Sequence, residues 1–86
     1  MTELQAIYDG KQSFYGKAYT KTEGENKNLY SYGAIVAVIS YNESSKVARV
    51  LDTHSQTTLR HIKEFLKQEG FKAETKRQIE NDYMNF

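Results

Sequence analysis

Between Leu29 and Leu51 the apolar residues follow the period of a strand, and from Leu59 onward they follow that of a helix. The stretch "LYSYGAIVAVISY" (Leu29 to Tyr41) holds four β-branched apolar residues, Ile35, Val36, Val38 and Ile39, pointing to both faces. That pattern predicts a central strand covered on both sides. Gly33 inside it marks a bulge or a break that would divide the segment in two. "NESS" (Asn42 to Ser45) predicts a hairpin loop. "KVARVL" (Lys46 to Leu51) then pairs back, with Val47, Arg49 and Leu51 on one face and Ala48 and Val50 on the other. Upstream, "QSFYGKAYT" (Gln12 to Thr20) has no helical stripe and predicts a strand. Alternation puts Phe14, Gly16 and Ala18 on one face and Tyr15, Lys17 and Tyr19 on the other. The polar "KTEGENKN" (Lys21 to Asn28), with Gly24 near its centre, predicts a loop.

Leu59, Ile62, Phe65 and Leu66 fall at i, i+3, i+6 and i+7, the apolar stripe of an amphipathic helix over 56–69. Gly70 closes it, and Phe71 suits the apolar contact of a Schellman stop. Thr75-Lys76-Arg77-Gln78 is a capping box ahead of Ile79, Tyr83 and Met84, which predicts a short C-terminal helix. Thr2-Glu3-Leu4-Gln5 fits the same box, with Leu4, Ile7 and Tyr8 at helical spacing and Gly10 as a stop, so a short N-terminal helix is predicted. Asp9-Gly10 as a plain turn is the alternative. The element order predicts an α+β fold. It has a three- to four-stranded antiparallel sheet, one long helix packed on it, and short N- and C-terminal helices. Residues 1–86 form one small domain on this reading. The second face of the sheet is expected to lie under the terminal helices of a monomer or against the other copy of a homodimer.

Composition narrows the functional classes. The chain has 86 residues, a net charge of +1 and a charged share of 27 %, which suits a folded soluble domain better than a disordered tail or a strongly basic nucleic-acid domain. It has no cysteine, which excludes disulfides, zinc ribbons, thiol nucleophiles and iron–sulfur clusters. The longest apolar run, Ala34 to Ile39, is far too short to span a membrane, and the N-terminus has no apolar signal core. The expected location is the cytoplasm of a host cell, with no membrane association. The sequon at Asn42-Glu43-Ser44 is then only a turn.

The most patterned stretch, "HSQTTLRHIKEFLK" (His54 to Lys67), raises the question of a site. Ser55 is a good N-cap, accepting from the amide of Thr57 or Thr58. His61 lies on the flank of the apolar stripe, where a half-buried ring with one satisfied nitrogen is expected. Asp52, His54 and His61 could supply two imidazoles and a carboxylate to a metal, but helical H-x-x-x-H spacing is missing. A Ser55 nucleophile lacks the strained elbow that exposes such a serine, and none of the glycines precedes a Lys-Ser/Thr pair. The sequence therefore points to no enzyme, no catalytic residue, no metal ligand and no cofactor. Arg60, Lys63 and Lys67 form a stripe at i, i+3 and i+7 on the exposed helix face, close to an N-terminus that favours anions. Lys72, Lys76 and Arg77 follow. The stripe is also readable as a solvated face in which Glu64 pairs with Arg60. Tyrosines on the sheet, Tyr15, Tyr19, Tyr30 and Tyr32, are candidates to anchor a protein interface or to stack on bases.

"LYSYGAIVAVI" (Leu29 to Ile39) and "SQTTLRHIKEFL" (Ser55 to Leu66) resemble a group of short, uncharacterised proteins of bacteriophages, plasmids and integrative elements, mainly of Gram-positive hosts. These combine a "YSY…VA" strand with an "S-x-T-T-x-R-H-x-x-x-F-L" helix start, and "SFYGKA" (Ser13 to Ala18) and the tail from Lys67 to Tyr83 fit as well. The resemblance implies genetic context rather than activity. It implies an accessory protein that acts by surface complementarity on a host or phage protein, as an inhibitor or modulator. The alternative is a small nucleic-acid-binding domain using the basic face of the helix. The residues carried forward as a binding surface are Tyr15, Lys17, Tyr19, Tyr30, Tyr32, Arg60, His61, Lys63 and Lys67.

Overall fold

The computed structural model describes residues 1–10, 16–53 and 55–84. Its elements are β1 (Thr2–Glu3), β2 (Ala18–Glu23), β3 (Asn26–Ser31), β4 (Ala34–Tyr41), β5 (Lys46–Val50), α1 (Gln56–Gln68) and α2 (Lys76–Tyr83). The five strands form one antiparallel sheet in the order β1-β2-β3-β4-β5. The class is α+β as expected, with more strands than predicted and without the N-terminal helix. Among the described residues no helix is long and apolar enough to cross a membrane.

The N-terminal correction has a local cause. Thr2 and Glu3 pair with Thr20 and Tyr19, and the Leu4 amide donates to Ala18 O at 2.9 Å. A two-turn helix is too short to hold itself up in water, whereas the edge of β2 offers ladder partners at once. The supposed loop at Lys21 to Asn28 is the tip of a hairpin. Glu23 pairs with Asn26, and Gly24, at φ 60°, takes the first central position of a two-residue turn whose twist suits a hairpin. Its β2 arm, Lys21 to Glu23, is polar because it is exposed, while on β3 Asn28 is buried and Lys27 reaches Glu69; the ladder needs no apolar side chains to form. Of the strand expected over Gln12 to Thr20, positions 12–15 lie outside the described residues, and Ala18 to Thr20 fall in β2.

The long apolar strand is two strands. Tyr32 and Gly33 both have positive φ, 54° and 85°, the pattern of a type I′ turn, and Ser31 pairs with Ala34 across it. Glycine takes that backbone readily, while tyrosine takes it at a cost. A second irregularity follows in β4. Leu29 faces Ala37 but Tyr30 faces Ile35, so Val36 is an extra residue in the ladder. The bulge lets both Val36 and Ala37 turn inward while Ile35 is 41 % exposed on the other side.

Both helices pack on one face of the sheet. The inner layer joins Leu29, Ile39 and Val50 of the sheet to Ile62, Phe65 and Leu66 of α1 and Ile79 of α2. Ser55 caps α1 by accepting from the Thr58 amide at 3.3 Å. At the other end Phe71 N donates to Leu66 O at 2.8 Å and Gly70 N to Lys67 O at 3.1 Å, with Gly70 at φ 87°. That is the Schellman stop expected from the sequence. Thr75 caps α2 and accepts from Gln78 N at 3.1 Å. The Gln78 side chain reaches back to Glu74 N, one residue before the cap.

Candidate functional site

The outer face of the sheet carries no packed element among the described residues, so the cover expected from terminal helices does not form: the N-terminal segment is a strand and α2 packs on the inner face. Ladder register places side chains on it in rows. Glu3 faces Tyr19, Tyr19 faces Tyr30 and Tyr30 faces Ile35. Leu51, whose amide donates to Val36 O at 2.8 Å, extends that row beyond β4. The row Tyr19–Tyr30–Ile35–Leu51 is apolar along its length. Ile35 is 41 % and Leu51 45 % exposed, and the two tyrosines are half-buried. Below it Lys21, Asn28, Val38 and Arg49 form a mixed row. Val38, Ser40, Val47, Arg49 and Leu51 line a shallow depression together with Asn26. Of the other tyrosine-block residues, Lys17 is exposed in a turn before β2 and Tyr32 is exposed in the type I′ turn. Tyr15 lies outside the described residues.

The helix side is built differently from the expected basic stripe. Arg60 does not pair with Glu64. Its Nε and Nη2 donate to the two carboxylate oxygens of Asp9 at 2.9 and 3.2 Å. Glu64 is buried, and its Oε1 accepts the amides of Tyr8 and Asp9, both at 2.9 Å. Its other oxygen accepts from Gln68 Nε2 at 2.6 Å, and the same nitrogen reaches Gln5 O at 2.6 Å. The segment from Gln5 to Gly10 thus lies across α1 and is held there by charge-assisted hydrogen bonds. Lys63 is half-buried and Lys67 exposed, and both line a depression with Tyr8, Asp9 and Gly10.

His61 is wholly buried, not half-buried. Its Nδ1 lies 2.8 Å from Ser31 Oγ, which is 3.0 Å from Thr58 Oγ1, so the three join α1 to β3. The Tyr32 ring sits 5.9 Å from the imidazole. Burial, and then the charges of Arg60 and Lys17, lower the His61 pKa to about 4, against an opposing pull from Asp9. A neutral, enclosed imidazole of this kind is a structural tie. It has no exposed edge to offer a ligand, and Ser31, at 3 % exposure, has none to offer a substrate. His54 lies outside the described residues. Among the described residues no cluster of three His, Asp or Glu side chains is placed to hold a metal ion.

Glu69 makes a second tie that periodicity could not signal. It accepts from Lys27 Nζ at 2.7 Å and from the Tyr41 hydroxyl, while Lys46 Nζ donates to its backbone carbonyl. Burial pushes the Glu69 carboxyl up, but the hydrogen bonds from Lys27 and Tyr41 and the charges of Lys27 and Lys46 outweigh it and leave its pKa lowered. Burial and the same carboxylate push the Tyr41 phenol up to about 12.

The predicted binding residues therefore divide. Tyr19 and Tyr30 share the open sheet face, Lys63 and Lys67 share the helix side, Arg60 is held by Asp9, and His61 is in the core. Asp9, Glu64 and Glu69, which organise the helix side, carried no sequence signal beyond their charge. No curated protein and no solved structure matches the chain. A family model does, over residues 2–81, and by that match the chain belongs to a family of unknown function, DUF8033.

Proposed function

We propose that this protein is a non-enzymatic accessory protein of a phage or mobile element that binds a host or phage protein through the open face of its sheet. The observation that carries the reading is the row Tyr19–Tyr30–Ile35–Leu51, over which no element of the described residues packs, with Val47 at 53 % exposure on the same face. A small domain gains stability by burying such side chains, and tyrosine set among aliphatic residues is a common interface anchor. The resemblance to short proteins of mobile elements supplies the biological setting. Nucleic-acid binding by α1 has less support, because Arg60 is engaged by Asp9.

The test is affinity capture from the host with the full chain and with the double variant Tyr30→Glu and Leu51→Glu, each checked for folding by circular dichroism. A protein captured by the wild type should be lost from the variant. Equal capture by both removes the sheet face from consideration. Duplex DNA that binds the wild type in a steeply salt-dependent manner would favour the helix reading instead.

A further inference from the structure

Among the described residues the most exposed large apolar side chains after Met1 are Ile7 at 69 % and Tyr8 at 60 %. Both belong to the segment that crosses α1, on the side of the helix away from the sheet. Leu4 and Ala6 of the same segment turn inward and pack on the core. The backbone beneath the exposed pair is fixed by a buried carboxylate, since Glu64 is 1 % exposed and accepts the Tyr8 and Asp9 amides. Asp9 is clamped to Arg60 by paired hydrogen bonds. Burying a carboxylate is costly unless its hydrogen bonds are satisfied. Here that arrangement orders a tip whose own side chains point to solvent.

From this we infer a second interaction surface, in which Ile7 and Tyr8 enter an apolar pocket rimmed by carboxylates on a partner protein. The charge around the tip decides the chemistry of the rim. Asp9 and Glu64, the carboxylates lining the depression beside Tyr8, are occupied by Arg60 and by backbone amides. Lys63 and Lys67, one helical turn apart on the same side, line that depression too. The lysine ammonium groups therefore set the sign a partner meets, and an acidic rim complements it. Preordering lowers the entropic cost of docking a flexible segment, as a rigid binding loop does. An anionic lipid surface fits less well, because one isoleucine and one tyrosine insert little apolar area and two lysines add only weak attraction. The surface lies across the molecule from the open sheet face, so the two can be occupied together.

The experiment uses the full chain as bait, alongside three double variants: Ile7→Ser with Tyr8→Ser, Lys63→Glu with Lys67→Glu, and Val47→Ser with Leu51→Ser. Folding of each is verified by amide NMR spectra. The expected result is a captured protein whose affinity falls about tenfold or more in the tip variant and in the lysine variant. Its capture weakens with salt and is unchanged in the sheet-face variant. Capture indifferent to the tip and lysine variants, or no capture, overturns the inference. So does binding to vesicles of phosphatidylcholine and phosphatidylserine that the same two variants abolish. A protein lost only from the sheet-face variant would leave the first surface standing without the second.

Discussion

The buried His61 makes stability depend on pH in a window that can be calculated. Its folded pKa is lowered from 6.5 to about 4. Above pH 6.5 the ring is neutral in both folded and unfolded chains, and its contribution to stability is fully present. As pH falls below 6.5 the unfolded chain takes up a proton that the folded chain refuses until about pH 4. Each unit of difference is about 1.4 kcal/mol, so the loss reaches roughly 3.5 kcal/mol once both states are protonated, and about 2.5 kcal/mol has gone by pH 4.5. For a domain this size that is a large part of a total on the order of 5 kcal/mol. Glu69, whose pKa is also lowered, contributes stability that is lost mainly below its usual value of 4.5, so His61 dominates over Glu69 in the interval from pH 6.5 to 4.5. The assay is urea unfolding followed by circular dichroism at pH 7 and pH 4.5, for the wild type and for His61→Gln. The glutamine can still reach Ser31 but does not titrate. The variant should lose some stability at pH 7 and then change much less than the wild type across the window. Equal wild-type stability at the two pH values would refute the reasoning, and so would an unchanged slope in the variant.

Other substitutions test the ties of the fold. Glu64→Ala strands the Tyr8 and Asp9 amides and should cost about 2 kcal/mol in urea melts, with faster hydrogen exchange at those two amides. Gly33→Ala places a Cβ at φ 85° in the type I′ turn and should cost about 1–2 kcal/mol, measured in the same way. In a spectrophotometric titration one tyrosine should ionise near pH 12, and Tyr41→Phe should remove it. If all tyrosines titrate together, the Tyr41–Glu69 hydrogen bond does not form.

Local chemistry was enough to place the elements whose signals are local. The cap at Ser55, the stop at Gly70-Phe71, the cap at Thr75 and the loop at Asn42 to Ser45 are each decided by a few neighbouring residues, and each is found where the sequence puts it. The faces of β5 follow from the same two-residue alternation. What needed tertiary structure was every feature whose partner is distant in the chain. Thr2 to Gln5 satisfies a capping box, yet Thr2 and Glu3 pair with the edge of β2 and form a strand. Lys21 to Asn28 has no apolar pattern, and only its ladder makes it a hairpin. Glu64 lies about 170° around the helix from the centre of the apolar stripe, at 100° per residue, and periodicity assigns it to solvent. A segment more than fifty residues earlier covers it and turns the carboxylate into a clamp. The same fold gives Arg60 to Asp9 and His61 to Ser31, which takes two predicted binding residues out of play. Tyr19 and Tyr30 come side by side with Ile35 only through strand register. Periodicity measures which side of an element a residue is on, and only the packing of the other elements decides whether that side meets water.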